Sequence, residues 1–156
     1  MKNWKLYEWS IVLFFLIIPL TAIIANYYLV DTKETIIEIA LKWFVFSGIG
    51  LRLGSAGIKQ ILHPQFTAKE IFKISEKRVS FVVRELGFAN LCFSILAILS
   101  FFVQSFLIPA AITGGLYFGF AGLLHVFKQK ESDKEIFAMI SDIYIFVVLT
   151  VLVIVL

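Results

Sequence analysis

Five apolar stretches, each close to the length needed to cross a lipid bilayer, dominate this sequence. Because a helix rises about 1.5 Å per residue, about 20 apolar residues cross the hydrocarbon layer. The stretches are separated by short polar segments and lie at about 9–30, 36–62, 80–103, 107–127 and 134–156. We therefore expect an all-α fold in which residues 1–156 form a single domain, a polytopic transmembrane bundle of five helices.

The composition argues against a water-soluble fold. Hydrophobic residues make up 60% of the chain and charged residues only 16%, with 17 Phe in 156 residues. A chain this short cannot bury so much apolar surface in water. The first stretch follows two lysines but is too long for a cleavable signal peptide, so we expect it to be retained as a membrane anchor. A single cysteine, Cys92, excludes an internal disulfide.

Lysine and arginine are distributed unevenly between the two sides of the predicted bundle. If all five stretches cross, 11 of the 14 basic residues lie on the side that holds the N-terminus, the 59–84 connection and the 128–135 connection. The positive-inside rule then predicts a cytoplasmic N-terminus and an outside C-terminus in the cell inner (plasma) membrane. Orientation also explains the net charge of +3, so we expect membrane lipids as partners and no nucleic acid.

The connection between the second and third stretches has the pattern of a surface helix. Thr67 and Glu70 have the spacing of a capping box, which predicts a helix beginning at Thr67. Apolar residues alternate with lysines after this point, as in helices that lie flat on a membrane. We therefore expect a short cytoplasmic interfacial helix here, with an ordinary basic loop as the alternative.

Polar side chains inside the stretches are the candidates for function, since a charged residue at mid-membrane costs about 2.5–3.5 kcal/mol to insert. The candidates come from four stretches and lie toward their cytoplasmic ends, at depths of roughly 5–15 Å or, for the histidine, less. They are Arg52, Glu85, Asn90, His125 and Asp142. We expect this cluster to bind or pass a small ligand or ion, with Arg52 paired to Asp142 or Glu85.

Other interpretations of the same residues stay open. Arg52 and Asp142 could form a structural ion pair that binds no ligand. Glu85 could pair with Arg84 where the helix enters the membrane, and His125 could be solvated where its helix leaves it.

Small residues form a stripe on two of the predicted helices. Stripes of this kind let helix backbones approach closely, which favours packing within the bundle. They consist of Ser47, Gly50, Gly54 and Gly57 on the second stretch, and of Ala111, Gly115, Gly119 and Gly122 on the fourth. Arg52 lies opposite the first stripe, so we expect the second helix to be central. The alternative function is a structural or accessory subunit that packs through these stripes against a larger membrane partner, and a homo-oligomer is also compatible.

The motifs of the common enzyme classes are missing from the sequence. There is no nucleophile elbow, phosphate loop, paired-histidine metal helix or cysteine pair. We therefore predict no metal site, identify no cofactor, and favour a non-enzymatic role. The remaining alternative is a lipid- or quinone-linked enzyme that uses Glu85, His125 and Asp142 for acid–base chemistry.

Several segments resemble the signature stretches of a family of uncharacterised small bacterial and archaeal multi-pass membrane proteins and, more distantly, of the DoxX-like bundles. They are Gly50-Leu51-Arg52, the run from His63 to Phe72, Arg84-Glu85-Leu86-Gly87-Phe88-Ala89-Asn90, and the run from Gly115 to His125. The similarity covers residues 46–127, and the segment ending in Asn90 is its most specific part. It implies a multi-helix inner-membrane protein without an established activity. Some DoxX-like proteins are linked with redox or quinone-associated membrane functions, but this chain lacks a cysteine pair.

Overall fold

A computed structural model describes residues 8–71, 74–76, 78–127 and 133–156, and the regular structure of these residues is entirely helical. Five long helices follow one another and begin and end within one residue of the predicted stretches. They are α1 (Glu8–Leu29), α2 (Ile36–Phe44, Val45–Leu51 and Arg52–Leu62, continuous), α3 (Val79–Phe102), α4 (Leu107–Phe127) and α5 (Asp133–Val155). The prediction of an all-α fold is confirmed.

Four of these helices are long and apolar enough to cross a membrane. They are α1, α3, α5 and the helical stretch Gln104–Phe127 that contains α4. Their outer surfaces expose large apolar side chains, such as Phe81 and Phe88 on α3 and Ile140 and Ile154 on α5. Exposed apolar surface of this extent is unusual for a protein in water. It is compatible with a multi-pass membrane protein.

Charged side chains set α2 apart from the four apolar helices, and those in its first half are satisfied locally. Thr35 and Glu38 form a complete capping box, in which each side chain bonds the backbone of the other residue. Lys42 Nζ lies 3.0 Å from Glu34 Oε1 in the preceding loop. These charges therefore lie at one end of α2. The two other charges, Arg52 and Lys59, lie in its second half.

The first glycine stripe packs α2 against α3. An added Cβ on Gly57 would lie 2.7 Å from the carbonyl oxygen of Gly87, and one on Gly54 would lie 2.6 Å from Ser94 Oγ. Side chains of ordinary size would hold the two helices apart. The predicted close packing through this stripe is therefore found within the chain.

The second stripe packs α4 against α5 in antiparallel order. Gly115, Gly119 and Gly122 face residues of α5 that occur in reverse order along the chain. The facing residues are Leu149, Phe146 and Ile143. The bundle thus contains two tightly packed helix pairs, α2 with α3 and α4 with α5.

Helix α2 lies at the centre of the bundle, as the position of Arg52 opposite its glycine stripe predicts. Ser47 Oγ donates a hydrogen bond to the carbonyl oxygen of Phe14 in α1, at 2.6 Å. On another side, a Cβ on Gly48 would meet the Ile145 side chain of α5 at 2.9 Å. The shared core consists of apolar side chains that include Phe15, Val45, Ile49, Phe118, Ile145 and Leu149.

Within the five long helices, two π-helical turns interrupt the regular hydrogen bonding, at Leu13–Ile17 in α1 and Val45–Leu51 in α2. In each turn, one carbonyl oxygen accepts a hydrogen bond from a serine hydroxyl of a neighbouring helix. The carbonyl oxygen of Phe14 accepts the hydrogen bond from Ser47 Oγ. The carbonyl oxygen of Gly50 accepts one from Ser94 Oγ, at 2.7 Å. Because no water in a bilayer core can bond irregular backbone, such hydroxyls stabilise it. The second turn ends directly before Arg52, and π-helical turns are frequent at functional sites.

Replacing the hydroxyl that bonds the α2 turn is expected to destabilise the bundle. Ser94→Ala removes a bond between helices, for which about 0.6 kcal/mol and at most about 1.7 kcal/mol is typical in membrane proteins. Ser100→Ala on the same helix is the matched control, because Ser100 is equally buried but bonds only Ala97 of its own helix. In detergent, the melting temperature of Ser94→Ala should be lower than that of Ser100→Ala. The reverse order would contradict a stabilising role for the hydrogen bond from Ser94 to the α2 turn.

The connection after α2 differs from its prediction. Helical structure begins at Pro64, as a short helix Pro64–Phe66 followed by a π-helical turn Thr67–Ile71, and residues 74–76 are not helical. The predicted start at Thr67 is wrong, because proline favours the first helical position and starts the turn three residues earlier. Thr67 is instead buried within the segment. The parts of the predicted helix at Phe72, Lys73 and Lys77 lie outside the described residues.

Between α3 and α4 the chain reverses in a tight turn, as predicted. Val103 is extended and is followed by a 3-10 turn at Gln104–Phe106. Further from this turn the two helices still touch at the rings of Phe93 and Tyr117, whose centroids are 5.1 Å apart. Beyond that contact a cleft lies between the helix pairs.

Candidate functional site

A cleft of about 1520 Å³ lies at the end of the bundle where α2 and α4 end and α3 and α5 begin. This is the end at which the sequence places most lysines and arginines. All five helices contribute to its walls, with Ser10 and Phe14 coming from α1. Its volume exceeds the roughly 300–1,000 Å³ typical of small-molecule sites. The cleft is therefore large enough to hold a ligand.

Four of the five predicted site residues line this cleft, each from a different helix. Arg52 comes from α2, Asn90 from α3, His125 from α4 and Asp142 from α5. The structure does not bring Glu85 to them: its side chain is exposed on α3, and the preceding Arg84 lines the cleft instead. Successive residues point about 100° apart around a helix. The depth of this carboxylate in the bundle could be predicted by counting residues, but the direction of its side chain could not.

Arg52 and Asp142 lie at one level of the bundle. Gly48 of α2 faces Ile145 of α5. Moving one turn toward the cleft from this contact leads to Arg52 on α2 and to Asp142 on the antiparallel α5. Both side chains are half-buried and line the same cleft. Of the two partners predicted for Arg52, the structure therefore brings Asp142 to it and leaves Glu85 outside the cleft.

Asn90 connects three of the helices that form the cleft. It is 2% exposed, and its Nδ2 donates a 2.7 Å hydrogen bond to Gln60 Oε1 of α2. Tyr117 of α4 also lies beside this amide, whose N–H group donates toward the Tyr117 hydroxyl oxygen. The Asn90 Oδ1 atom is buried and has no hydrogen-bond partner among the described residues. A buried acceptor of this kind ordinarily bonds a donor, so this atom is suited to a water or a ligand hydroxyl.

Several lining residues were not selected from the sequence. Lys59 follows Arg52 by seven residues, which is two turns of the same helix face, and its Nζ lies 3.7 Å from the Phe66 ring centroid. Gln60 and Tyr117 carry no charge, so a search for charged residues within the apolar stretches passed over them. The helical spacing from Arg52 was the signal that could have identified Lys59.

A buried carboxyl group near the cleft was also missed. Glu135 is only 4% exposed and lies seven residues before Asp142, on the same face of α5. The residue is engaged with a partner in the structure. In the sequence, Glu135 lies at the start of the fifth stretch, next to the polar connection before it, where a solvated side chain is the ordinary expectation. Its spacing from Asp142 was the available signal.

Comparison with known proteins supports a coarse assignment only. No curated protein and no solved structure matches the chain. The comparisons do not link it to the DoxX-like bundles, so that part of the sequence resemblance stays a prediction. A family model, DUF6790, matches residues 9–156 and is described as a family of unknown function. Because the match covers nearly the whole sequence, the chain belongs to this family of unknown function, DUF6790.

Proposed function

We propose that this protein is a non-enzymatic inner-membrane protein that binds or passes a small ligand or ion in a cleft open to the cytoplasm. The observation that carries this proposal is the convergence of Arg52, Asn90, His125 and Asp142 from four helices on one cleft. Polar groups inside a membrane protein are costly and often mark a ligand or ion path. A bundle without a ligand would have little use for so many of them in one open space.

In this proposal five helices cross the membrane, including α2. Its four charges all have locations that a membrane tolerates: Glu38 and Lys42 at one end, Arg52 and Lys59 in the cleft. The bias of basic residues makes the cleft end cytoplasmic. The short segment 64–71 then lies at the cytoplasmic interface.

The accessory alternative has less support. Both glycine stripes contact α3 and α5 of the same chain, so a partner protein would have to use another surface. The enzymatic alternative loses one of its three acid–base groups, because Glu85 lies outside the cleft. Neither alternative has an observation that favours it over ligand binding.

The path of α2 can be tested by cysteine labelling. In a Cys92→Ser background, Lys33→Cys before α2 should react with a membrane-impermeant maleimide added outside intact cells. Gln65→Cys after α2 should react only when the reagent reaches the cytoplasm. Both residues are exposed. Labelling of both positions from the same side would contradict a membrane-crossing α2.

The cleft itself can be tested with the same reagent. Ser55 lines the cleft and is exposed, so Ser55→Cys should react from the cytoplasmic side at a substantial rate. Ile95→Cys is the control, because Ile95 is 56% exposed on the apolar outer face of α3. A thiol surrounded by hydrocarbon stays protonated and unreactive. Equal, negligible labelling at both positions would exclude a water-filled cleft open to the cytoplasm.

A further inference from the structure

We infer that the ligand of this cleft is an amphiphile with an anionic head group, such as a phosphate-bearing membrane lipid. This inference rests on the proposed function and names the class of molecule that the cleft would bind. It is drawn from the charge of the lining, from the position of its apolar residues and from the buried acceptor of Asn90.

The charged side chains that the structure places along the cleft are mostly cationic. Arg52, Lys59 and Arg84 line it, against one carboxylate, Asp142. Asp142 lies at the level of Arg52, and the buried Glu135 on the same face of α5 has a partner of its own, so the lining itself carries an excess of positive charge from Lys59 and Arg84. Lys59 Nζ lies over the Phe66 ring, which also lines the cleft. A phosphate or carboxylate between Lys59 and Arg84 would balance this excess, and arginine is well suited to binding such groups.

Apolar residues place one edge of the cleft on the outer surface of the bundle. Leu62 of α2 and Phe120 and Leu124 of α4 line the cleft and are also 65%, 67% and 70% exposed. A residue that is both part of the cleft wall and part of the outer surface lies at an opening between the two. In a membrane, that opening faces lipid chains. A molecule can therefore enter sideways with its chain in the bilayer and its head group in the cleft.

The deeper part of the cleft is suited to a polar head group. The Asn90 Oδ1 atom has no partner among the described residues, and the bond to Gln60 holds the amide in place. A hydroxyl on the head group could donate to this oxygen. A free inorganic anion would satisfy the basic residues but would leave both the apolar edge and this acceptor unused.

Protection of Ser55→Cys from modification can measure ligand binding. The purified Cys92→Ser, Ser55→Cys protein in neutral detergent should be protected by phosphatidylglycerol at concentrations roughly thirtyfold lower than by phosphatidylcholine with the same chains, because two basic residues contact the head group. Inorganic phosphate should not protect at comparable concentrations. Protection by phosphate alone would show that no chain is needed and would overturn the inference.

Two pairs of variants separate the cleft from general attraction of anionic lipids to basic surfaces. Lys59→Gln with Arg84→Gln should abolish the preference for phosphatidylglycerol. Lys69→Gln with Arg78→Gln removes the same charge from exposed positions outside the cleft and should preserve that preference. If both pairs of variants lose the preference for phosphatidylglycerol to the same extent, the preference comes from surface charge and not from the cleft, and the inference is overturned.

A second comparison tests the space that the chain would occupy. Ala121→Trp fills the cleft without changing charge and should prevent binding of both lipids, whereas Ile112→Trp on the outer face of α4 should not. Equal protection by the two lipids would overturn the anionic head group, and protection by neither would overturn an amphiphilic ligand. In both cases, reactivity of Ser55→Cys from the cytoplasm would leave the open cleft of the proposed function standing.

Discussion

Asp142→Asn is expected to destabilise the protein by about 1–3 kcal/mol, and Arg52→Gln by a similar amount, while the double variant should lose much less than the sum. Each single change leaves the other half-buried charge without the opposite charge at its own level of the cleft. Removing both groups takes away the attraction and the uncompensated charge together. The free energy of unfolding in one detergent, measured for all four proteins, gives the coupling directly.

The control for this cycle is a pair of charges on the outer part of the bundle. Glu76 and Arg78 are both exposed just before α3 and outside the cleft, so Glu76→Gln and Arg78→Gln should each change stability by less than about 0.5 kcal/mol. Their effects should add. Additive effects at Arg52 and Asp142 as well would contradict a shared polar cluster.

The stability cycle alone does not separate a structural ion pair from a binding site. Ligand binding by the double variant makes that distinction. If the pair is only structural, phosphatidylglycerol should protect the cysteine of Ser55→Cys equally well in the double variant and in the parent protein. If Arg52 contributes to the head-group site, protection should weaken although stability is largely regained.

The helices could be predicted closely because each one is a separate apolar stretch bounded by polar residues. Helix pairing was also indicated by the sequence, since glycines recurring on one face permit close contact and Gly57 and Gly122 both lie at such contacts. The one incorrect boundary, at Thr67, arose where two signals competed. The capping-box pattern was present, but Pro64 lies three residues earlier and begins the helical turn.

The depth of the site residues in the bundle could be predicted from the sequence, but the direction of their side chains could be predicted only in part. Counting residues from a helix end gives depth, and this placed Arg52, Asn90 and Asp142 at compatible heights. Depth does not say which way a side chain points, so Glu85 was included although its neighbour Arg84 lines the cleft. Gln60 was passed over because an uncharged amide gives no strong signal until its partner, Asn90, is known.

Gly57→Ala is expected to lower stability by about 1–3 kcal/mol, against the usual trend for this substitution. Alanine in place of glycine normally stabilises a helix by about 1 kcal/mol. At Gly57, however, the new methyl would lie 2.7 Å from the Gly87 carbonyl oxygen and 3.2 Å from the Leu91 backbone nitrogen. Backbone atoms cannot rotate away as a side chain can, so α2 and α3 would have to move apart.

Gly115→Ala is the matched control, because a methyl there would meet only the Leu149 side chain, at an ordinary 3.6 Å. It should leave the melting temperature unchanged or raise it, while Gly57→Ala lowers it. Separation of α2 from α3 would also stretch the Gln60 to Asn90 bond and widen the cleft wall, so Gly57→Ala should alter the labelling rate of Ser55→Cys and Gly115→Ala should not. Equal melting temperatures for the two variants would mean that the contact between α2 and α3 is looser than described, and the cleft built on it would lose its fixed shape.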